Sequence, residues 1–291
     1  MVMLEIAVLT ILLALAFTFT NGFQDASSIA ATFIASRSAS PRSGIILVAG
    51  MSLLGAVFGG SAVAFTMAGL ISVPHGAVEL GVLFVALVTA TGWNIITWMF
   101  GLPSSSTHSL IGGIVGGSIA AAGTSGVFWG LAELTGPEPE LAGFVKILAF
   151  FAFSVLIGFA GSYLMHRTTS FLMRNADRSE NRKFTLLNWC AAGLMAFFNG
   201  ANDPQKQMGM IAMVLVAAGF VATPEVPLWV RGACALLMAL GTISGGWRIM
   251  NTLGRRIFRI EPVHSFDSQF VSASSIALST LAGAPVSSTH V

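Results

Sequence analysis

The sequence predicts an all-α integral membrane protein made of inverted-topology repeats, with broken helices and re-entrant hairpins. Three observations predict it. The chain of 291 residues is 55% hydrophobic and only 9% charged, too little charge to coat a water-exposed domain of this size. Its apolar residues gather into runs of about 17 to 25, the length that crosses a hydrocarbon core roughly 30 Å thick. Two polar motifs also recur, in the same order, in the two halves of the chain.

Taken in order, the first run, Met3 to Phe19, has Glu5 where a secretory signal would be basic, and it continues into Thr20-Asn21-Gly22 without a small-x-small cleavage site. It therefore reads as a retained helix. Taken whole, this first apolar segment extends from Met3 to Ala35. Further segments follow at Gly44 to Ile71, Val78 to Phe100, Leu110 to Ala122, Leu141 to Met165, Leu186 to Val221, Leu228 to Gly245, and from Phe270 onward. Three connecting loops, 37–43, 166–184 and 246–265, hold eleven of the fourteen Lys and Arg residues. The positive-inside rule makes those loops cytoplasmic. The loops at Ser72 to Ala77, Thr124 to Glu140 and Ala222 to Pro227 contain no Lys or Arg, and the second holds Glu133, Glu138 and Glu140. They are expected outside, which puts the N-terminus outside as well. Val78 to Gly123 starts and ends on that side, so it is either two crossings or a re-entrant hairpin.

Self-alignment places Asn21-Gly22-Phe23-Gln24-Asp25 over Asn199-Gly200-Ala201-Asn202-Asp203 at a shift of 178 residues. It also places Gly101-Leu102-Pro103-Ser104-Ser105-Ser106-Thr107-His108 over Gly283-Ala284-Pro285-Val286-Ser287-Ser288-Thr289-His290 at a shift of 182. The first Asn-Gly-x-x-Asp segment runs toward the basic loop at Arg37 and the second runs away from the basic loop at Lys183, so the copies are inverted. Such repeats are the build of secondary transporters. The expected division is a first repeat over 1–165, a cytoplasmic basic loop over 166–184 and a second repeat over 185–291. The second copy stops inside its motif, which suggests a fragment lacking the helix that would complete the second hairpin.

An ionised carboxylate inside an apolar span costs about 2.5 to 3.5 kcal/mol on insertion scales, so Asp25 and Asp203 need a compensating role. One reading is cation or proton coupling. A carboxylate beside Asn amides, with backbone carbonyls freed where Gly breaks the helix, forms an oxygen-lined site for Na⁺ or H⁺. The other is a structural Asp capping a half-helix. The Ser/Thr runs after Pro103 and Pro285 fit a mid-membrane helix start, whose N–H groups, dipole and hydroxyls suit an oxyanion, phosphate above all. They equally fit hydroxyls that satisfy freed backbone groups in a packed hairpin.

His108 and His290 lack metal or nucleophile-pair spacing and are expected to be buried, hydrogen-bonded rings, with a proton carrier as the other reading. Lys206 is expected to pair with Asp203 at i,i+3, or else to balance a polyanion. Cys190 and Cys234 lie in apolar segments without partner spacing and read as buried, inert thiols. The net charge of +2, with no basic patch interleaved with aromatics, argues against nucleic acid as a partner. No cofactor and no enzymatic nucleophile is expected. An ion channel or an intramembrane hydrolase is the alternative from a different class, and neither explains two carboxylates matched to two anion-type helix starts.

At these residues the chain resembles the inorganic phosphate transporter (PiT) family, over essentially its whole length. Asn21-Gly22 with Asp25, then Asn199 to Asp203 with Gln205-Lys206 and Met208-Gly209, is similar to the bacterial branch, and Gly101-Leu102-Pro103 with Ser105 to His108 is similar to the family's hairpin tip. The resemblance implies import of inorganic phosphate by symport with Na⁺ or H⁺ through alternating access, in a homodimer within the cell (inner) membrane and its lipid. Sulfate or another tetrahedral oxyanion is the alternative substrate. It further implies substrate contacts at Ser105, Ser106, Thr107, Ser287, Ser288 and Thr289. The coupling ion is implied to meet Asn21, Asp25, Asn199, Asn202 and Asp203, and where it is Na⁺ the metal is implied to lie at Asp25 and Asp203. Two positions depart from the family pattern: Gln24 stands where His is frequent and Ser28 where Asn is usual. Both flank Asp25, so both bear on the identity and number of coupling ions.

Overall fold

A computed structural model describes residues 2–175, 181–245 and 260–291 of the chain. Helix is the only regular structure among them, apart from one isolated bridge between Ile71 and Val127. The helices are α1 (Val2–Ala35), α2 (Pro41–Phe58), α3 (Ala62–Ala68), α4 (Ala77–Met99), α5 (Ser106–Ala122), α6 (Leu131–Leu134), α7 (Gly143–Leu172), α8 (Asn181–Ala217), α9 (Leu228–Gly245) and α10 (Pro262–Leu281). Five of them, α1, α2, α4, α7 and α8, are long and apolar enough to cross a membrane. Their outward faces are apolar, as on α7, where Leu156, Phe159 and Leu164 are each at least 65% exposed. Lipid rather than water is the solvent such a surface fits.

Local chemistry explains where these helices start and stop. Ser40 caps α2, its Oγ accepting from Ser43 N at 3.2 Å, and Pro41 occupies the first turn, where no N–H is needed. After Phe58 the helix is interrupted by Gly60, whose φ of +83° suits glycine, and restarts as α3. The two hairpin tips end their helices in the same way. Gly101 N donates to Trp98 O and Leu102 N to Thr97 O, while Gly283 N donates to Thr280 O and Ala284 N to Ser279 O. Both are 6→1 and 5→2 closures around a left-handed glycine, each followed by a proline that forbids resumption.

The expected break at Asn-Gly-x-x-Asp is not found. α1 and α8 pass through it as continuous helices. The glycines serve approach instead. A Cβ on Gly22 would lie 2.5 Å from Met238 O of α9, and one on Gly200 would collide with Ser52 of α2. Gly241 of α9 sits against Phe19 of α1, and Gly55 of α2 against Phe197 of α8. Thus the first helix of each half packs on the second helix of the other half, a reciprocal arrangement that needs small residues at the contact.

Polar links gather the basic loops at one end. Asn188 Nδ2 donates to Ser38 Oγ at 2.9 Å, Ser265 Oγ donates to Asn188 Oδ1 at 3.1 Å, and Thr169 Oγ1 donates to Asp267 Oδ1 at 2.8 Å. Arg178 and the four arginines of 246–259 lie outside the described residues. At the other end, Ser72 N donates to Gly126 O and Phe128 N to Leu70 O, joining two of the three loops free of Lys and Arg. α4 leaves from that end and α5 returns to it, while the turn between them lies against Gln24 in the interior. Val78 to Gly123 is therefore a helical hairpin whose turn is enclosed by the protein, the form a re-entrant segment takes. Cys234 is buried, but Cys190 is exposed, on the outward face of α8 with Leu186, Leu187 and Leu194. An apolar sequence environment marks burial in lipid as readily as burial in protein.

The close approaches yield a test. Gly22→Val and Gly200→Val should each destabilise the protein by about 1–3 kcal/mol or more, seen as a lower melting temperature in detergent. Gly112→Ala, where a Cβ would meet nothing within 4 Å, should leave the melting temperature unchanged.

Candidate functional site

Because α1 and α8 cross, their polar motifs face each other across the centre of the molecule. Asn21 Nδ2 donates to Asp203 Oδ2 at 2.5 Å, and Asn199 Nδ2 donates to Asp25 Oδ2 at 2.9 Å. Each asparagine reaches the aspartate of the other repeat, so the two bonds exchange under the shift that relates the halves. All four side chains are at most 3% exposed. A buried carboxylate is tolerated only with such partners.

The second amide-bearing position of each motif serves a different purpose. Gln24 Nε2 donates to Thr97 Oγ1 at 2.9 Å and to Asn94 O at 3.3 Å, while its Oε1 accepts from Ser104 N at 3.4 Å. Asn202 Nδ2 donates to Thr280 Oγ1 at 2.9 Å and to Ala284 O at 3.1 Å, while its Oδ1 accepts from Val286 N at 3.2 Å. Ser104 and Val286 correspond in the repeat, so each amide pins the tip of its own half. Asn202, expected at a coupling ion, is here spent on backbone and hydroxyl groups that the tip leaves without helical partners. Gln24 was legible only as a departure from the family pattern. The signal for its role was its register with Asn202.

The tips themselves meet. Thr107 Oγ1 donates to Val286 O at 3.0 Å. Ser288 Oγ donates to Asp25 Oδ1 at 3.1 Å, so the second tip touches the carboxylate of the first repeat. Lys206 lies at the junction, its Nζ donating to Asp203 Oδ1, to Thr107 Oγ1 and, at 3.0 Å, to Val286 O. The expected i,i+3 pair is therefore present, and the ammonium also ties both tips to α8. With three donors and three acceptors it is fully satisfied.

Of the remaining expected contacts, Ser105 caps α5, accepting from His108 N, and its hydroxyl pairs with His108 Nδ1 at 2.7 Å. Ser287 pairs with Thr289 Oγ1 at 2.8 Å and with His290 Nδ1 at 2.9 Å. Ser106, buried, starts α5 beside Thr107. The structure thus brings Asn21, Asp25, Asn199, Asp203, Thr107 and Ser288 together and turns Ser105 and Ser287 toward their own histidines. Those rings, with centroids 4.7 Å apart, are hydrogen-bonded as expected but exposed rather than buried. They border a cavity of about 690 Å³ that also takes in Trp93, Ser104 and Ser105 but none of the four crossed Asn and Asp side chains. Among the described residues no group of three or more His, Cys, Asp or Glu could hold a metal ion. Asn21 Oδ1 is buried without a hydrogen-bond donor, leaving one oxygen at the centre open to a cation or a water.

If the amides of Gln24 and Asn202 pin the tips, Asn202→Ala should speed amide hydrogen exchange at Val286 by at least about tenfold, the factor for 1.4 kcal/mol, and leave Ser104 unchanged. Gln24→Ala should do the reverse. Equal exchange changes at both tips would refute the assignment.

Comparison with known proteins agrees with this architecture. A family profile described as "Phosphate transporter family" matches residues 21–291. A Bacillus subtilis protein named "Probable low-affinity inorganic phosphate transporter" is 35% identical over 295 residues, covering 100% of this chain and 84% of its own. A protein of the same name from Mycobacterium bovis is 40% identical over 291 residues, covering 99% of this chain and 67% of its own. Among solved structures, one titled "The sodium-dependent phosphate transporter" superposes with a TM-score of 0.86 at 22% identity, over 98% of this chain and 87% of that one. At that identity it is the fold that is shared.

Proposed function

Because the chain belongs to the phosphate transporter family, a family of multi-pass transporters rather than enzymes, we propose that it imports inorganic phosphate by symport with Na⁺ or H⁺ through alternating access. The observation that carries this reading is the contact of Thr107 with Val286 O, the point at which tips from opposite repeats meet beside the crossed carboxylates. A substrate held there touches both repeats, so moving one against the other changes the side to which it is open.

Electrostatics supplies the reason for coupling. Two carboxylates and one ammonium occupy the centre, and in a low dielectric an added oxyanion needs a countercharge. A co-transported cation provides it. The first-turn N–H groups of α5 and the hydroxyls of Ser106, Thr107 and Ser288 are the donors for phosphate oxygens, while Asp25, Asp203 and Asn21 favour the cation. That one solved relative in fold is titled sodium-dependent supports Na⁺ as the first cation to test. In the same reading the repeats run over 1–165 and 185–291 around the basic segment 166–184. The gathering of Lys- and Arg-bearing loops at one end supports an N-terminus outside the cell membrane. The homodimer rests on the resemblance of the motifs to those of the family.

Radiolabelled phosphate uptake into proteoliposomes, with imposed Na⁺ or pH gradients and sulfate as competitor, tests the reading. Uptake should follow one of the two gradients and resist excess sulfate. Asp25→Asn and Asp203→Asn should each lower it by at least about tenfold (1.4 kcal/mol) while the protein still inserts. Uptake indifferent to both gradients would end the symport reading, and wild-type rates in both variants would end the site assignment.

A further inference from the structure

The two halves of the centre are related by the repeat, but they are not chemically equivalent. Asp25 and Asp203 correspond, and so do the residues three positions on, Ser28 and Lys206. In one half, then, the residue one turn after the aspartate is an ammonium. In the other half it is a hydroxyl.

The Lys206 Nζ is bound by a carboxylate oxygen of α8, a hydroxyl of α5 and a backbone carbonyl of the second tip. These are the oxygen classes that hold hard metal cations in proteins, and at 1% exposure the ammonium is a fixed part of the interior. Asp25 has no such partner. Asn199 and Ser288 donate to it, the Asp203 carboxyl lies against it, and the Lys206 ammonium acts on it through space without a hydrogen bond or, among the described residues, a salt bridge. Ser28 Oγ stands 3.5 Å from Ser288 Oγ. Asn21, one turn before Asp25, presents the buried Oδ1 that has no donor. A buried acceptor without a donor requires an explanation, and a cation held between the Asn21 oxygen and the Asp25 carboxylate, which has no directly bound ammonium, supplies one.

We propose that Lys206 is a tethered cation that fills at Asp203 the place an exchangeable small monovalent cation takes at Asp25, so that each chain couples one cation, at a site formed by Asp25, Asn21, Ser28 and Ser288. This rests on the coupled-transport reading above and narrows it from two carboxylate sites to one. It also gives Lys206 a use other than binding phosphate, because its three N–H donors are already taken.

The test exchanges the two residues. Purified full chain is titrated with NaCl, choline replacing Na⁺ at constant ionic strength, and with pH, reading both the melting temperature and the binding of radiolabelled phosphate. Wild type should respond to one of the two cations with a Hill slope near 1. Ser28→Lys, which brings a tethered ammonium to Asp25, should remove the cation dependence of phosphate binding at least tenfold. Lys206→Ser, which gives the second repeat the residue of the first, should raise the slope toward 2. A wild-type slope of 2, or cation dependence undiminished in Ser28→Lys, overturns the proposal, and the second criterion stands even where Lys206→Ser does not fold. A wild type that is stabilised by the cation at slope 1 but binds no phosphate would refute the transport reading and leave the cation site intact.

Discussion

Two carboxylates lie at the centre of a chain whose natural solvent is hydrocarbon, and they remain there because each receives an amide from the opposite repeat. In a low dielectric an unpartnered carboxylate would be neutralised or expelled. The crossing of α1 and α8 therefore has to bring residues about 180 apart in sequence (182 and 174 in the two bonds) into hydrogen-bond contact. The other central features follow from that crossing. The glycines at 22 and 200 let α1 approach α9 and α8 approach α2, and that reciprocal packing holds the register of the crossing.

The same centre anchors the hairpins. A re-entrant tip exposes backbone N–H groups where no water or lipid headgroup can satisfy them. Gln24 and Asn202 supply acceptors from within the helices that already carry the carboxylates. Tip position and carboxylate position are thereby fixed by neighbouring residues of one helix. Lys206 adds a bond from α8 to both tips, and Ser288 bonds the second tip directly to Asp25, so the charged centre and the tips are in contact.

Much of this was legible in the sequence. The spans, the segregation of Lys and Arg, the two repeated motifs and the i,i+3 pair of Asp203 and Lys206 all rest on composition or on spacing within one element. The errors have a common origin. Asn-Gly suggested a helix break because glycine weakens isolated helices, but packing against α9 and α2 outweighs that local preference. The family resemblance implied a place for Asn202 at the coupling ion; helix geometry turns it away from its neighbour Asp203, and in the structure its amide bonds Thr280 Oγ1, Ala284 O and Val286 N. Cys190 was expected to be buried because apolar surroundings in sequence do not distinguish the protein interior from the lipid-facing surface; the two histidines were judged on spacing alone, which says nothing of the cavity they border.

By itself the sequence determined that this chain lives in a membrane, that it is a duplicated unit read in both directions, and that each copy brings an aspartate and a Ser/Thr tip. Those properties are local: hydropathy, charge placement and spacing are set by covalent order. Tertiary structure alone decided which asparagine serves which aspartate, that the hairpin turns back in the interior, and that one carboxylate has a built-in ammonium while its counterpart does not. Hydrogen bonds at 2.5 to 3.2 Å between distant residues depend on how helices cross, and crossing is fixed by the packing of whole faces rather than by the order of residues along one helix.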